Sequence, residues 1–230
     1  MSTIIPLLDF LPPDRSVISP VALTMKKLSS ILVLSLSATL SQGAIYITTI
    51  VDPNVLFSAR AIEIYVSGTE DLGNYDLQRA ANNVAFDETF NLPSGSYTDQ
   101  FVYLVSNNSS FDTVFGVGVG PTIQLGSASG NGNDGFRIVE DGTNNVVDVV
   151  GEGGSNIYQD SFMSRKNNTG PDSVWTIDNW ELDGNNSLDG LDEAGTAAAV
   201  PFGTFTVAVP EPSTVLLGGI ALLGLLRRRR

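Results

Sequence analysis

The side chains behind most enzymic chemistry are missing: the 230 residues contain no His and no Cys. That excludes a Ser-His-Asp triad, a Cys nucleophile, an imidazole or thiolate zinc site and a disulfide. Carboxylates, Ser/Thr, Tyr, Lys/Arg or a hard cation are left to do any chemistry. The segment Asp183-Gly184-Asn185-Asn186-Ser187-Leu188-Asp189-Gly190-Leu191-Asp192-Glu193 offers oxygen ligands at alternating positions, as calcium loops do. Its candidate ligands are Asp183, Asn185, Asp189 and Asp192. The pattern departs from an EF-hand loop, because position 6 is Leu188 rather than Gly and position 12 is Ala194 rather than Glu. Two readings stand, a calcium loop and a solvated acidic loop, and the departures favour the second. Trp175 and Trp180 are five apart, so a strand would turn them to opposite faces, one into the core and one partly outward. An outward ring is able to stack on a glycan, although packing is the commoner use of such a residue. Asp134, Asp141 and Asp148 read as turn and strand-end residues, and Arg137 and Arg165 as partners in surface ion pairs. Glycosylation-type sequons at 107–110, 167–169 and 185–187 are short motifs in an Asn-rich chain. No constellation marks a catalytic centre, and paired carboxylates in so acidic a chain carry no meaning without geometry.

A different chemistry is written at the C-terminal end, where the chain itself reads as a substrate. Val209-Pro210-Glu211-Pro212-Ser213 precedes an apolar run of 13 residues, Thr214 to Leu226, and then Arg227, Arg228, Arg229 and Arg230. Two prolines keep the tripeptide out of helix or sheet interiors, so it is extended and open to a protease. The apolar run approaches the roughly 20 residues of a membrane helix only with its flanks. The terminal arginines would hold that helix end on the cytoplasmic face. The Pro-Glu-Pro, the Gly-rich apolar run and the Arg cluster, in that order, resemble the PEP-CTERM sorting signal of Gram-negative bacteria. The resemblance implies recognition by an exosortase, a membrane-embedded protease-transpeptidase, with removal of the tail as the protein passes to the cell surface or matrix. A permanent tail anchor would explain the apolar run and the arginines but not the Pro-Glu-Pro.

The N-terminal end reads as an export signal. Met25-Lys26-Lys27 is a short basic start, Leu28 to Leu40 an apolar stretch of h-region length, and Ser41-Gln42-Gly43 puts small residues before a cleavage between Gly43 and Ala44. Residues 25–43 are thus a signal peptide for the Sec route. Residues 1–24, with four prolines and no periodicity, are an unstructured extension, or Met25 is the true start. Between Ala44 and Val209 only five cations face 22 acids, a net charge of −17 against −13 for the whole chain. An exported domain of that charge is a poor partner for nucleic acid, which needs a basic stripe.

What must position any site in the middle is a set of short strands. Apolar alternation or apolar runs occur at Ala44 to Ile50, Ala61 to Val66, Phe101 to Val105, Phe136 to Val139, Val146 to Val150, Trp175 to Leu182 and Thr204 to Val209. No window of 11 residues in this region keeps a helical period. Glu140 to Asn145 is a hairpin loop, and Ser127 to Gly135 a Gly/Asn/Ser connection. The expected class is all-β, a β-sandwich, with an N-terminal signal helix and a C-terminal hydrophobic sorting helix.

The order of several segments resembles the lamin-tail domain, an immunoglobulin-like sandwich. These are Ile45 to Pro53 with Ala61 to Val66, Gly73 to Leu77, the turn Leu92 to Tyr97, the hairpin Gly132 to Glu152, Tyr158 to Lys166 and Asn179-Trp180. The resemblance implies an immunoglobulin-like, lamin-tail-like sandwich over 44–182, followed by an acidic loop and final strand or linker, 183–208, and the sorting signal, 209–230. It does not extend through Ser106 to Gly126.

Together these features predict an exported, exosortase-processed, non-enzymatic protein of the cell surface or extracellular matrix, structural or adhesive. It would be held transiently in the inner membrane by its C-terminal helix. Expected partners are the exosortase and Sec machinery, with extracellular polysaccharide or other surface proteins beyond them. The alternatives are a glycan- or calcium-binding module, with Trp180 and the 183–193 loop as first suspects, and a carboxylate-based hydrolase. No cofactor is expected apart from the calcium alternative.

Overall fold

A computed structural model describes residues 43–208 apart from 84, 127–129 and 152–155. The extension, the signal segment before Gly43 and the sorting segment from Val209 onward lie outside the described residues. Ten strands form two sheets: β1 (Ala44–Val51), β2 (Ala61–Asp71), β3 (Tyr75–Ala80), β4 (Glu88–Asn91), β5 (Ser96–Val105), β6 (Thr122–Gln124), β7 (Gly135–Glu140), β8 (Val146–Val150), β9 (Phe162–Arg165) and β10 (Trp180–Leu182). One sheet runs β10-β9-β1-β2-β5-β6, the other β4-β3-β7-β8. The expected all-β layering is therefore present, as two sheets enclosing one core.

That core follows from alternation. Ile62, Ile64 and Val66 of β2 and Val102 and Leu104 of β5 are buried with Leu77 of β3, Phe136 and Ile138 of β7 and Val150 of β8. Each fully buried side chain of this size contributes roughly 1.5–3 kcal/mol. In β1 the alternation shifts phase. Ile47 pairs with Ile64 but Thr49 with Glu63, so Thr48 is an extra residue. The bulge lets Ile45 and Ile47 face the core before it and Ile50 after it.

Two short helices also occur, α1 (Asn108–Phe115) and α2 (Glu193–Ala199). At eight and seven residues they are too short to show a period over an 11-residue window. Local capping defines them: Asn107 accepts from the Ser110 N–H at 3.0 Å and Asp192 from the Gly195 N–H at 2.8 Å. α1 links β5 to β6, which pair in parallel, as a strand–helix–strand crossover requires. This parallel edge lies in the stretch 106–126 where the lamin-tail resemblance lapses.

Two expected strands are corrected. Ile177–Asn179 is a 3-10 turn, so only Trp180–Leu182 of the 175–182 stretch is strand. Residues 204–208 join no ladder. They belong instead to a covering layer on the outer face of the six-stranded sheet. There Val51, Ala61, Tyr103, Val105 and Phe162 pack against Phe111 of α1, Leu188, Val200 and Phe202 in a second apolar cluster. Residues 183–208 are thus folded onto the sandwich rather than standing apart as a linker.

Candidate functional site

The sorting residues Val209, Pro210, Glu211, Pro212 and Arg227 to Arg230 lie outside the described residues, but the segment leading to them does not. Phe202 packs edge-on to Tyr103 at 5.1 Å, and Phe205 sits 5.4 Å from the Tyr46 ring. The Gly203 N–H donates to Glu63 Oε2 at 2.6 Å. The Thr206 N–H donates to Asn167 Oδ1, and its carbonyl accepts from the Asn168 N–H at 2.9 Å. The chain is stitched to the sandwich as far as Thr206, four residues before Pro210. Its main anchor, Glu63, is wholly buried on the outer face of β2 and accepts from Thr48 and Thr49 of the β1 bulge as well. Burial pushes its carboxyl above the ordinary value, with the Thr48 and Gly203 donors pulling the other way.

At the other junction, Ala44 is the first residue of β1 and pairs with Ser67. Among the described residues no helix is long and apolar enough to cross a membrane.

The polar centre of the sandwich is one that residue types alone do not reveal. Asp148 and Arg165, expected at a strand end and on the surface, are buried in the core, their side chains fully shielded. The reason is register. The β7–β8 ladder slips between Ile138 and Val139, which sets Asp148 opposite core-facing Ile138. The β1–β9 ladder ends at Thr49 and Ser164, leaving both polar groups of the Ile47 peptide without a strand partner. Asp148 accepts the Ile47 N–H at 2.7 Å and Arg165 Nε donates to the Ile47 carbonyl at 2.7 Å. The pair closes on itself through Arg165 Nη2, 2.7 and 2.6 Å from the two Asp148 oxygens. Arg165 Nη1 reaches Asp172 at 3.1 Å, and the Asp172 N–H returns to Asp148 at 2.8 Å. Burial pushes the Asp148 carboxyl up to about 6, the guanidinium and these N–H groups holding back only part of the rise. Every group in the cluster is committed to another, which makes it a structural clamp between the sheets.

The tryptophans pack against that clamp, with Trp180 Nε1 buried and without a hydrogen-bond partner. The 3-10 turn brings their rings together at 5.8 Å instead of setting them on opposite faces. Trp180 lies beneath the Arg165 guanidinium, 4.7 Å away, and is 3 % exposed, so it is no platform for a glycan. Arg137 donates to Gln78 Oε1 at 2.7 Å and lies over the Phe86 ring at 4.5 Å, in place of the expected ion pair. Asp134 is buried, accepting from the Asn82 and Asn131 N–H groups, while Asp141 is in the hairpin turn as expected.

Three of the four calcium candidates are engaged in hydrogen bonds within the fold. Asn185 accepts the Gln159 N–H at 3.1 Å, Asp189 accepts from Asn54 at 2.6 Å, and Asp192 caps α2. Asp183 is exposed, and Leu188 between these residues is part of the apolar cluster. No group of three or more acidic side chains able to hold a metal ion occurs among the described residues.

Residues 208–230 match the family model described as a PEP-CTERM protein-sorting motif. No curated protein and no solved structure matches the chain. Such a motif implies processing by an exosortase, and with it export and a transient stay in the membrane before cleavage.

Proposed function

We propose that this chain is a structural or adhesive, non-enzymatic component of the cell surface or extracellular matrix of a Gram-negative bacterium. It leaves the cytoplasm by the Sec route, is cut between Gly43 and Ala44, and loses its tail to an exosortase that recognises Val209 to Pro212. Arg227 to Arg230 hold the apolar tail in the inner membrane until then. The observation that carries the reading is the sorting motif matched at 208–230. Support for a non-enzymatic role comes from the described carboxylates in the core, which are engaged in holding strands and segments together. The lamin-tail-like, immunoglobulin-like identity of the sandwich rests on the ordered segments of the sequence, the hairpin of β7 and β8 above all.

Mass spectrometry of the protein recovered from the cell surface tests the sorting step. The expected N-terminal peptide begins at Ala44, and no peptide ends at Arg230. Recovery of surface protein with the Arg230 peptide intact rules out tail removal. An exosortase in the same cell is a requirement of the proposal.

A further inference from the structure

Three loops meet at one end of the sandwich: 52–60 between β1 and β2, 130–133 before β7, and 156–160 before β9. They enclose an open cleft of about 430 Å³. Asp52, 1 % exposed, is its keystone. It accepts Arg60 Nε at 2.5 Å, the Gly132 N–H at 3.2 Å and the Asp160 N–H at 3.3 Å, one donor from each loop. The 183–193 loop braces the same walls from behind, since Asn185 holds Asn156 and Gln159, and Asp189 holds Asn54. The cleft is therefore shaped before any ligand arrives, which lowers the ordering cost of binding.

Its lining is unusual in two ways. It carries five side-chain amides, against two carboxyl groups and one guanidinium. Asn133 Oδ1, in that lining, is buried without a hydrogen-bond partner. Beside these amides stands Phe57, 57 % exposed, its ring held under Arg60 at 5.6 Å.

An amide offers a donor and an acceptor side by side, the complement of neighbouring hydroxyl groups that each donate and accept. An exposed ring supplies an apolar face for the C–H side of a sugar. Phosphate and other anionic ligands would meet two carboxylates and one already paired cation, and a lipid would meet a mostly polar wall. A volume of this size is within the range of small-ligand sites. We propose that this cleft binds a neutral saccharide, with Phe57 stacking on the sugar and the amide pair of Asn156 and Gln159, joined by Asn156 Nδ2 donating to Gln159 Oε1 at 2.7 Å, reading its hydroxyls through Asn156 Oδ1 and Gln159 Nε2. The site is independent of the sorting motif, and of Trp180, which is buried.

The test is calorimetric titration of the full chain with maltohexaose, cellohexaose, mannohexaose and chitohexaose, repeated with Phe57→Ala and Asn156→Ala. Phe57 faces solvent and Asn156 gives up a single exposed bond to Gln159, so neither change should lower the Tm by more than a few degrees. The expected result is binding of at least one oligosaccharide, weakened tenfold or more by Phe57→Ala with the Tm inside that margin. Absence of heat with all four, or binding that survives both substitutions, overturns the site. Neither outcome bears on tail removal, which mass spectrometry reads separately.

Discussion

Arg165 uses three nitrogens on three different acceptors: Nε on the Ile47 carbonyl, Nη1 on Asp172 and Nη2 on Asp148. A planar fork does this and a point charge does not. Removing one partner of a buried pair strands the other, at a cost of about 3–5 kcal/mol. Arg165→Met is expected to lose that much in urea unfolding, and Arg165→Lys to recover only part of it. A loss for Arg165→Met within experimental error of zero would mean the clamp is ornamental. The buried acids also set the response to pH. Burial raises the carboxyls of Asp52, Glu63, Asp76 and Asp148. Unfolded carboxyls titrate near pH 4, so between there and about 6 the folded chain binds more protons than the unfolded one. The stabilisation from proton uptake is complete below the unfolded values and fades as pH rises through the folded ones. Asp71 works the other way, lowered by the Gly95 and Gly73 N–H groups: its contribution is fully present above its ordinary value and is lost only as pH falls below it, so it does not separate pH 5 from pH 7. The Tm measured by scanning calorimetry is therefore expected to be higher at pH 5 than at pH 7, and the reverse order would contradict this assignment.

Among the elements, the strands were legible because their information is local. Ile62, Ile64 and Val66 alternate with Glu63 and Tyr65, and the pleat sends alternate side chains to opposite faces. What alternation does not say is that the second face would also be covered. Glu63 looks like a solvent residue in the pattern and is instead sealed beneath the 200–206 segment. The helices escaped notice because each relies on one cap, with Phe111 and Val114 buried in α1 and only Thr196 in α2, and has too few turns for a period. The covering segment has a direct test. Glu63→Ala removes the acceptor of the Gly203 N–H and the Thr49 hydroxyl, while Thr48 keeps a 3.2 Å bond to the carbonyl of residue 63, at roughly 1–3 kcal/mol for each buried donor left unpaired. Faster hydrogen exchange at the Gly203 and Thr206 amides is expected, together with lower stability. Unchanged protection at Gly203 would show that Glu63 does not hold the segment down.

At the scale of the molecule, few residues separate the described domain from the sorting motif in the sequence. From Thr206, the last residue bonded to the sandwich, four residues lead to Pro210. Extended chain spans at most about 3.3–3.6 Å per residue, so the tether reaches roughly 14 Å. On the proposed sorting reading, exosortase would have to engage the motif within that reach of the 166–169 loop. Ten Gly/Ser residues inserted between Ala208 and Val209 are expected to leave tail removal intact and to speed it, as read by pulse-chase of the full chain. Slower removal would mean that the domain assists the enzyme rather than obstructing it. The net charge of −17 between Ala44 and Val209 fits this setting, because like charge keeps exported domains apart and soluble.

The C-terminal sorting motif and the sheet class were legible in the sequence. The sorting motif and the strand alternation are each contained within a few to about twenty consecutive residues, so their physics is local. Only the tertiary structure decided which polar residues matter. Asp148 meets Ile47 across 101 positions, Gly203 meets Glu63 across 140, and Asp52 meets Asp160 across 108. Those meetings depend on a one-residue bulge at Thr48 and a ladder slip at Val147, and a shift of one residue reverses every side chain beyond it. The same register turned an expected surface arginine into a core clamp, buried the tryptophan first suspected of binding glycan, and assembled a polar cleft from loops that share no motif.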